Sequence, residues 1–231
     1  MEWKLFDPQN PPPVANPDFL RNQPWMRLEG QPGFRERSTM VREMVAEVLR
    51  WCEPYIYQVT DLGCGDGAML RVLADDLKKA AIPPSRITGY DIGASDIAYA
   101  NKAGPYEFRL ANIARDFRIL QLGELNIMTE VLEHMTDPHG FLKTLRDLLR
   151  ERILGGDQAE QIFMVGTSPA SETDEWHNAI HLWAWDWDGY AQMFRGAGWE
   201  IVDHLQVAGG DNTFNGVTRA QTFQGITAVI R

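Results

Sequence analysis

The sequence predicts an α/β protein built on a doubly wound, Rossmann-like sheet. From residue 57 onward, short apolar runs that predict strands alternate with amphipathic segments that predict helices. A glycine-rich turn, Gly63 to Gly67, joins the first of these strands to the helix that follows it. Such alternation implies a parallel sheet with helices on both faces. Ligands of these sheets bind beyond the carboxyl ends of the strands, so function is expected in the loops there.

Seven strands and five helices are predicted from the spacing of apolar residues. The first helix, Ser38–Trp51, has Ser38 as its expected N-cap. The other helices are Ala68–Lys78, Ala94–Lys102, Pro138–Glu151 and Asp186–Ala197. The strands are Val59–Leu62, Arg86–Tyr90, Glu107–Leu110, Asn126–Thr129, Gln161–Gly166, Trp199–Val207 and Phe223–Ile230, and a loop rich in Gly and Asn is expected between the last two.

The organisation of the chain follows from its length and from one change in composition. A length of 231 residues, 44% of them hydrophobic, suits one α/β domain with an elaborated end. Residues 7–33 are rich in Pro, Asn, Gln and Gly, which predicts an extended segment. We therefore expect an N-terminal arm or lid over residues 1–37 and a single domain over residues 38–231.

Composition and charge exclude several classes of protein. The formal charge is −10 and only five residues are lysines, so the basic footprint of a duplex-binding protein is missing. No apolar run approaches the roughly 20 residues that span a bilayer. The N-terminus lacks the features of a secretory signal, and two cysteines make no disulfide framework. A cytoplasmic protein without membrane association is expected, as a monomer or a homodimer.

The glycine-rich turn and a later acidic residue predict a cofactor that contains ribose. Gly63, Gly65 and Gly67 let the backbone approach a ligand at a helix N-terminus. Asp91 ends the next strand, where a carboxylate can accept hydrogen bonds from both ribose hydroxyls. A dinucleotide remains an alternative, because Ala68 is tolerated as the third residue of that fingerprint. Asp61 disfavours it, because an acidic loop repels a pyrophosphate and suits a ligand with an ammonium and a sulfonium.

Four segments together resemble class I S-adenosylmethionine-dependent methyltransferases. The segment D-L-G-C-G-D-G (Asp61–Gly67) resembles the cofactor loop of that family, and I-T-G-Y-D-I (Ile87–Ile92) its second motif. L-A-N-I (Leu110–Ile113) and N-I-M-T-E-V-L-E-H-M-T-D-P (Asn126–Pro138) occupy the places of the third and fourth motifs. The similarity covers roughly residues 38–230, and it implies that an antiparallel hairpin ends the sheet.

The resemblance implies S-adenosylmethionine as cofactor and assigns residues to it. Asp91 would bind the ribose, Asn112 the adenine amino group, and Ile113 would pack on the adenine ring. The full set of implied cofactor residues is Asp61, Gly63, Cys64, Gly65, Gly67, Asp91, Ile92, Asn112, Ile113 and Glu130. The activity implied is methyl transfer to an oxygen or nitrogen of a small molecule. A non-catalytic S-adenosylmethionine-binding protein is an alternative of another class, and a dehydrogenase is a third.

Acid/base residues cluster after the fourth and fifth strands. Methyl transfer needs alignment of the acceptor, exclusion of water and removal of a proton, but no covalent nucleophile. Glu130, His134 and His181 are the expected catalytic residues, with His177 as a further general-base candidate. A plainer interpretation is that the E-H turn only shapes the loop beside the cofactor.

A divalent metal site is a second interpretation of the same residues. Glu130, Glu133 and His134 are spaced i, i+3 and i+4, so one helical turn would aim them the same way, and His181 would add a fourth ligand. This pattern, together with Trp185, is similar to the small-RNA 3′-terminal 2′-O-methyltransferases, which implies an RNA end as the alternative acceptor. The acidity of the chain and its few lysines argue against RNA.

Aromatic and basic residues near these loops are further candidates for the site. Trp183, Trp185 and Trp187 alternate, so they lie on one side of an extended segment, either as core packing or as a wall for the acceptor. Trp25 and Phe34 are expected to close the pocket from the arm. Arg35 and Arg37 are expected to meet the carboxylate of the cofactor.

Overall fold

A computed structural model describes residues 2–4, 28–30, 33–52, 56–155, 160–173 and 175–231. The helices in these ranges are α1 Phe34–Cys52, α2 Ala68–Lys79, α3 Ala94–Ala103, α4 Pro138–Leu154 and α5 Trp187–Gly196. The strands are β1 Glu2–Lys4, β2 Val59–Leu62, β3 Ile87–Asp91, β4 Glu107–Leu110, β5 Leu125–Thr129, β6 Ile162–Pro169, β7 Trp183–Trp185, β8 Glu200–Phe214 and β9 Val217–Ile230.

The main sheet has seven strands in the order β4-β3-β2-β5-β6-β9-β8. The first five are parallel, whereas β9 runs antiparallel to both β6 and β8. This confirms the predicted doubly wound sheet with a C-terminal antiparallel hairpin. The chain direction across the sheet reverses between β2 and β5, and this switch point is where ligands bind in open α/β sheets.

Helices cover both faces of the sheet, which explains the long apolar runs of its central strands. Every residue of β2 is buried, including the polar Thr60 and Asp61. One core lies between the sheet and helices α1, α2 and α3, and the other between the sheet and helices α4 and α5. None of the described helices is long and apolar enough to cross a membrane.

Helix α1 begins four residues before its predicted start. Gly33 has a φ of 71°, and Phe34, the first helical residue, is buried. Ser38 Oγ donates to the carbonyl of Arg35 within the helix, so the prediction that Ser38 caps it is wrong. The proposed domain boundary at residue 38 therefore falls inside α1. Most of the proposed arm, including Trp25, lies outside the described residues.

The C-terminal hairpin is longer than predicted. The expected loop rich in Gly and Asn is instead strand, because β8 and β9 continue until the turn at Asn215 and Gly216. Both turn residues have positive φ, 53° and 77°, as the tight turns of twisted hairpins require. The extended half of the hairpin projects past Pro169, the last residue of β6, toward the edge that carries the glycine loop.

Candidate active site

A cavity of about 830 Å³ opens at the carboxyl ends of the parallel strands. Residues from α1, from the loops after β2 to β6 and from the hairpin line it. Its volume lies in the upper part of the roughly 300–1,000 Å³ range of ligand pockets. The position at the strand switch point is the one that the sequence predicted for a ligand.

The glycine loop forms one end of the cavity. Gly63, Gly65 and Gly67 all have positive φ, between 51° and 79°. A Cβ on Gly67 would lie 2.6 Å from the ring of Phe108, so this position excludes larger residues as well. The amides of Gly63 and Cys64 both donate to the carbonyl of Tyr90, which ties the loop to β3.

Asp91 lies at the end of β3 and faces the cavity. Its Oδ2 accepts a hydrogen bond of 2.9 Å from the Gly65 amide, and its Oδ1 accepts one of 2.7 Å from the Gly93 amide. Burial raises the pKa of the Asp91 carboxyl, against the opposing effect of these amides. The carboxylate is thus held in place at the rim of the glycine loop.

Asp61 is fully buried where β2 meets the loop. Neither of its carboxylate oxygens has a hydrogen-bond partner among the described residues. Burial, and to a smaller extent the charge of Asp91, raises the pKa of Asp61 to about 8. A buried carboxyl without partners is costly, and a bound cation would relieve that cost.

Most of the predicted cofactor residues line the cavity. Asn112 Oδ1 accepts a hydrogen bond from the Ala114 amide, which shapes the loop after β4, and Ile113 is buried beside it. The Cys64 side chain is buried close to Gly89 instead of facing the cavity. The predicted residues that line the cavity are Gly63, Gly65, Asp91, Ile92, Asn112, Ile113 and Glu130, and those outside its lining are Asp61, Cys64 and Gly67.

Glu130 follows β5 with a backbone conformation that is rare for its residue type. Its φ is 56°, and strain of this kind concentrates at functional sites. Its carboxylate accepts a hydrogen bond of 2.9 Å from Thr167 Oγ1 and lies 3.5 Å from Nη1 of Arg37. Burial raises the pKa of Glu130, and the Arg37 charge opposes that shift.

Glu133, His134 and His181 form a compact group in which one potential ligand atom from each lies within 4.8 Å of the others. Leu132–His134 is a turn of 3-10 helix, not the predicted turn of α-helix. Glu133 is fully buried, and its Oε1 has no partner in the described part of the chain. Glu130 is not in this group, contrary to the predicted four-ligand set, because Arg37 and Thr167 engage its carboxylate.

A buried carboxylate orients His181. Nδ1 of His181 lies 2.6 Å from Oε2 of Glu172, whose Oε1 accepts a hydrogen bond from the Asn178 amide. Burial lowers the pKa of His181 to about 3 and raises that of Glu172 to about 8. His134 is held differently, with Nδ1 3.1 Å from the carbonyl of Ile180. Glu172 was not predicted from the sequence. The same loop contains two other acidic residues, and nothing in the sequence distinguishes Glu172 from them.

Of the other residues predicted at the site, some line the cavity and others do not. Phe34 and Arg37 line the cavity, whereas Arg35 and His177 do not. Trp183 and Trp185 are buried with their rings stacked 6.1 Å apart, which is the core-packing interpretation. Trp187 is exposed and stacks on His204, away from the cavity.

Comparison with known proteins agrees with this fold. Residues 60–152 match the family described as "Methyltransferase domain". No curated protein matches the sequence. The fold is similar to a putative methyltransferase from Bacillus halodurans (10% identity, TM-score 0.54, 81% of this chain and 97% of that one). It is also similar to magnesium protoporphyrin IX methyltransferase from Synechocystis with bound S-adenosylmethionine (14% identity, TM-score 0.51, 90% and 93%).

A third structure with the same fold is the plantazolicin methyltransferase BamL in complex with a substrate analogue and S-adenosylhomocysteine (13% identity, TM-score 0.54, 83% and 85%). At these identities the solved structures show the fold alone. The family match adds the methyltransferase domain, and it spans the glycine loop, Asp91, Asn112 and the turn after β5. Residues 60–152 thus match a methyltransferase domain, and the chain has the fold of S-adenosylmethionine-dependent methyltransferases.

Proposed function

We propose that the protein transfers the methyl group of S-adenosylmethionine to an oxygen or nitrogen of a small-molecule acceptor. One observation carries the proposal: a single cavity extends from the glycine loop and Asp91 to the two imidazoles His134 and His181. The proposed cofactor end and the proposed acid/base end therefore share one cavity. The match of residues 60–152 to a methyltransferase domain argues against the non-catalytic alternative.

The charge of the cofactor end fits a cationic ligand. Four buried or largely buried carboxyls, Asp61, Asp66, Asp91 and Asp96, lie around the loops after β2 and β3. Among the described basic residues, Arg71 approaches them, with Nη2 3.6 Å from Asp66. S-adenosylmethionine carries an ammonium and a sulfonium, whereas the pyrophosphate of a dinucleotide would be repelled.

The other predicted cofactor residues are proposed to bind the ribose, the adenine and the carboxylate of S-adenosylmethionine. Asp91 is placed to accept hydrogen bonds from the ribose hydroxyls, and Asn112 to meet the adenine amino group between Ile92 and Ile113. Arg37 is the proposed partner of the carboxylate, because its Nε is buried without a partner among the described residues. When bound, the cofactor supplies an electrophilic methyl group on a sulfonium.

At the other end, Glu130 and the two imidazoles are the proposed catalytic groups. Burial keeps His134 and His181 neutral, and a neutral imidazole can accept a proton. Glu172 holds Nδ1 of His181, so Nε2 is the atom available on that ring to meet the acceptor. Arg37 and Thr167 hold the Glu130 carboxylate at the cavity wall.

We further propose that Glu133, His134 and His181 bind a divalent metal. Three carboxyls, Glu130, Glu133 and Glu172, are buried here, and Arg37 is the cation paired with them in the described part of the chain. A divalent ion would stabilise the ionised form of these carboxyls, whose pKa values burial raises. The contacts that Glu172 and the Ile180 carbonyl make to the imidazoles are the outer contacts typical of metal-bound histidines. Two imidazoles and a carboxylate favour Zn²⁺ or Mn²⁺ over Mg²⁺.

An RNA 3′ end is the second candidate acceptor, supported by the same metal group. Against it, the described residues that line the cavity include two arginines, Arg37 and Arg115, and no lysine. Phosphate contacts dominate nucleic-acid affinity, so this lining favours a small molecule. A short RNA belongs in the acceptor screen as the competing substrate.

An acceptor screen tests the proposed function. Purified protein is incubated with S-adenosylmethionine and a panel of hydroxylated and aminated small molecules, and formation of S-adenosylhomocysteine is followed. Turnover should depend on the acceptor, be lost in Asp91→Ala, and persist in Asp75→Ala, which changes an exposed aspartate. Turnover with RNA ends alone would move the assignment to the second candidate.

Chelation tests the metal. Activity should disappear with EDTA and return with Mn²⁺ or Zn²⁺, and metal analysis should find about one ion per chain. Activity that persists in EDTA would remove the metal and leave His181 as the general base. Because cofactor binding needs no metal in this account, S-adenosylmethionine should still bind the chelated protein.

A further inference from the structure

The outer half of the C-terminal hairpin forms part of the cavity wall. Residues 208–214 pair only with residues 217–222, because β6 ends at Pro169 opposite Phe223. Asn212, Phe214 and Gln221 from this part of the hairpin line the cavity, together with Phe223 next to it. None of these four belongs to the cofactor residues assigned above.

This wall is fixed to the rest of the protein. Trp176 is fully buried, its Nε1 donates a 2.9 Å hydrogen bond to the Val217 carbonyl, and its ring lies 4.9 Å from that of Phe214. The Thr222 amide donates to Ser171 Oγ in the same loop. That loop also carries Glu172 and His181, so the wall and the proposed acid/base group are held together.

One polar side chain of the wall has unused hydrogen-bonding capacity. Gln221 is 4% exposed, and its Oε1 accepts a 3.0 Å hydrogen bond from Asn212 Nδ2. Its Nε2 has no acceptor among the described residues, although it lines the cavity. Because Gln221 lines the cavity, a ligand oxygen bound there could accept a hydrogen bond from this donor.

The surroundings of Gln221 define the shape and charge of that ligand. Phe34, Phe214 and Phe223 present aromatic rings to the same cavity. Arg37 lies over the rings of Phe34 and Phe223, at 5.8 and 5.1 Å, and its charge is paired with Glu130. The hairpin wall itself presents aromatic rings and an uncharged amide donor. These suit a flat ligand group that carries an uncharged oxygen.

We infer that Gln221 is a specificity-determining residue that selects an aromatic acceptor bearing a carbonyl oxygen. The inference rests on the proposed function and deepens it. The acceptor ring packs against the phenylalanines, the carbonyl oxygen accepts a hydrogen bond from Gln221 Nε2, and the atom to be methylated lies toward His181. Aliphatic amines and rings without such an oxygen leave the donor unpaired.

A matched pair of phenols tests this inference. Binding of para-hydroxyacetophenone and para-ethylphenol, which differ by one carbonyl, is measured by calorimetry with protein saturated with S-adenosylhomocysteine. The wild-type protein should bind the ketone about 5–15-fold more tightly, the effect of one buried hydrogen bond. Gln221→Leu should reduce that ratio to about one, while Gln206→Leu, at an exposed position of β8, should keep it.

A second variant protects the test against misfolding. Gln221→Glu keeps the shape but replaces the donor by a carboxylate, so it should bind the ketone more weakly than para-ethylphenol. The affinity for S-adenosylmethionine should stay within about twofold in every variant, because Gln221 is not among the residues assigned to the cofactor. An unchanged ratio in Gln221→Leu, equal binding of the phenols by the wild type, or binding of neither would overturn the inference.

The cofactor measurement separates the two proposals. Loss of cofactor affinity in Gln221→Leu would overturn the inference, because that residue would then act through the cofactor site. If S-adenosylmethionine binds and acceptors are methylated without discrimination at the carbonyl, this inference fails alone. If S-adenosylmethionine does not bind the wild type, the proposed function itself fails.

Discussion

Nδ1 of His181 lies 2.6 Å from Oε2 of Glu172, and both side chains are more than nine-tenths buried. The contact engages Nδ1, so Nε2 is the His181 atom available to the group formed with Glu133 and His134. An outer carboxylate of this kind raises the basicity of a metal-bound imidazole and sets its orientation.

Glu172→Gln should therefore weaken metal binding by about 10–100-fold. Titration with Mn²⁺, followed by electron paramagnetic resonance, measures the affinity directly and does not depend on activity. Glu175→Gln, at an exposed position of the same loop, is the matched control and should bind Mn²⁺ as the wild type does. Equal affinity in Glu172→Gln and wild type would contradict the proposed ligand arrangement.

Asp91→Ala should reduce the affinity for S-adenosylmethionine by at least about 100-fold, since two hydrogen bonds to a charged acceptor would be lost. Calorimetry measures this loss, with Asp75→Ala as a control that leaves the site unchanged. Because Asp91 also accepts from the amides of Gly65 and Gly93, circular dichroism must show that the variant is folded. Full affinity in a folded Asp91→Ala protein would remove the ribose assignment.

Asp61 should make the protein without cofactor less stable as the pH rises. Its pKa is about 8 in the folded state against the ordinary 3.8, so between these values the folded protein holds a proton that the unfolded chain releases. The contribution of Asp61 to stability is therefore greatest below about pH 4 and is lost progressively up to about pH 8.

Urea unfolding at several pH values measures this effect. Asp61→Asn should flatten the decline in the free energy of unfolding between about pH 5 and pH 8, because the amide does not ionise. Asp75→Asn should leave the wild-type slope unchanged. Identical slopes in wild type and Asp61→Asn would show that the carboxyl ionises normally in the folded protein.

Gly67→Ala should lower the free energy of unfolding by about 1–3 kcal/mol, because it forces a side chain into a left-handed backbone conformation. The new Cβ would also lie 2.6 Å from Phe108. Gly104→Ala is the matched control, since nothing lies within 4 Å of a Cβ there and its φ is negative. Urea unfolding of both variants gives the comparison, and equal stability would mean that Gly67 is not constrained.

Local sequence signals predicted the part of the site that lies on the parallel strands. The run Val59–Leu62 and the glycines after it specify strand, turn and helix within ten residues, so no distant contact is needed to recognise them. Asp91 was recognisable because it ends the next strand. The hairpin was underpredicted although Asn215 and Gly216 form the strongest short turn signal, because the surrounding polar residues suggested a loop.

The parts of the site that were not predicted from the sequence depend on contacts that form only in the folded protein. Glu172 is nine residues from His181 in an irregular loop, and only the folded loop brings their side chains together. Glu130 has the spacing of a metal ligand, but Arg37 of α1, distant in sequence, engages its carboxylate. The unpaired donor of Gln221 is likewise a property of the assembled hairpin and cavity.

The central claim is that the cavity binds S-adenosylmethionine and not a dinucleotide. Calorimetric titration of the purified protein with S-adenosylmethionine and with NAD tests it most directly. We predict binding of one S-adenosylmethionine per chain, with at least about 100-fold preference over NAD, because the buried carboxyls around the loop favour a cation and repel a pyrophosphate. Equal affinity for the two cofactors, or a preference for NAD, would contradict the account.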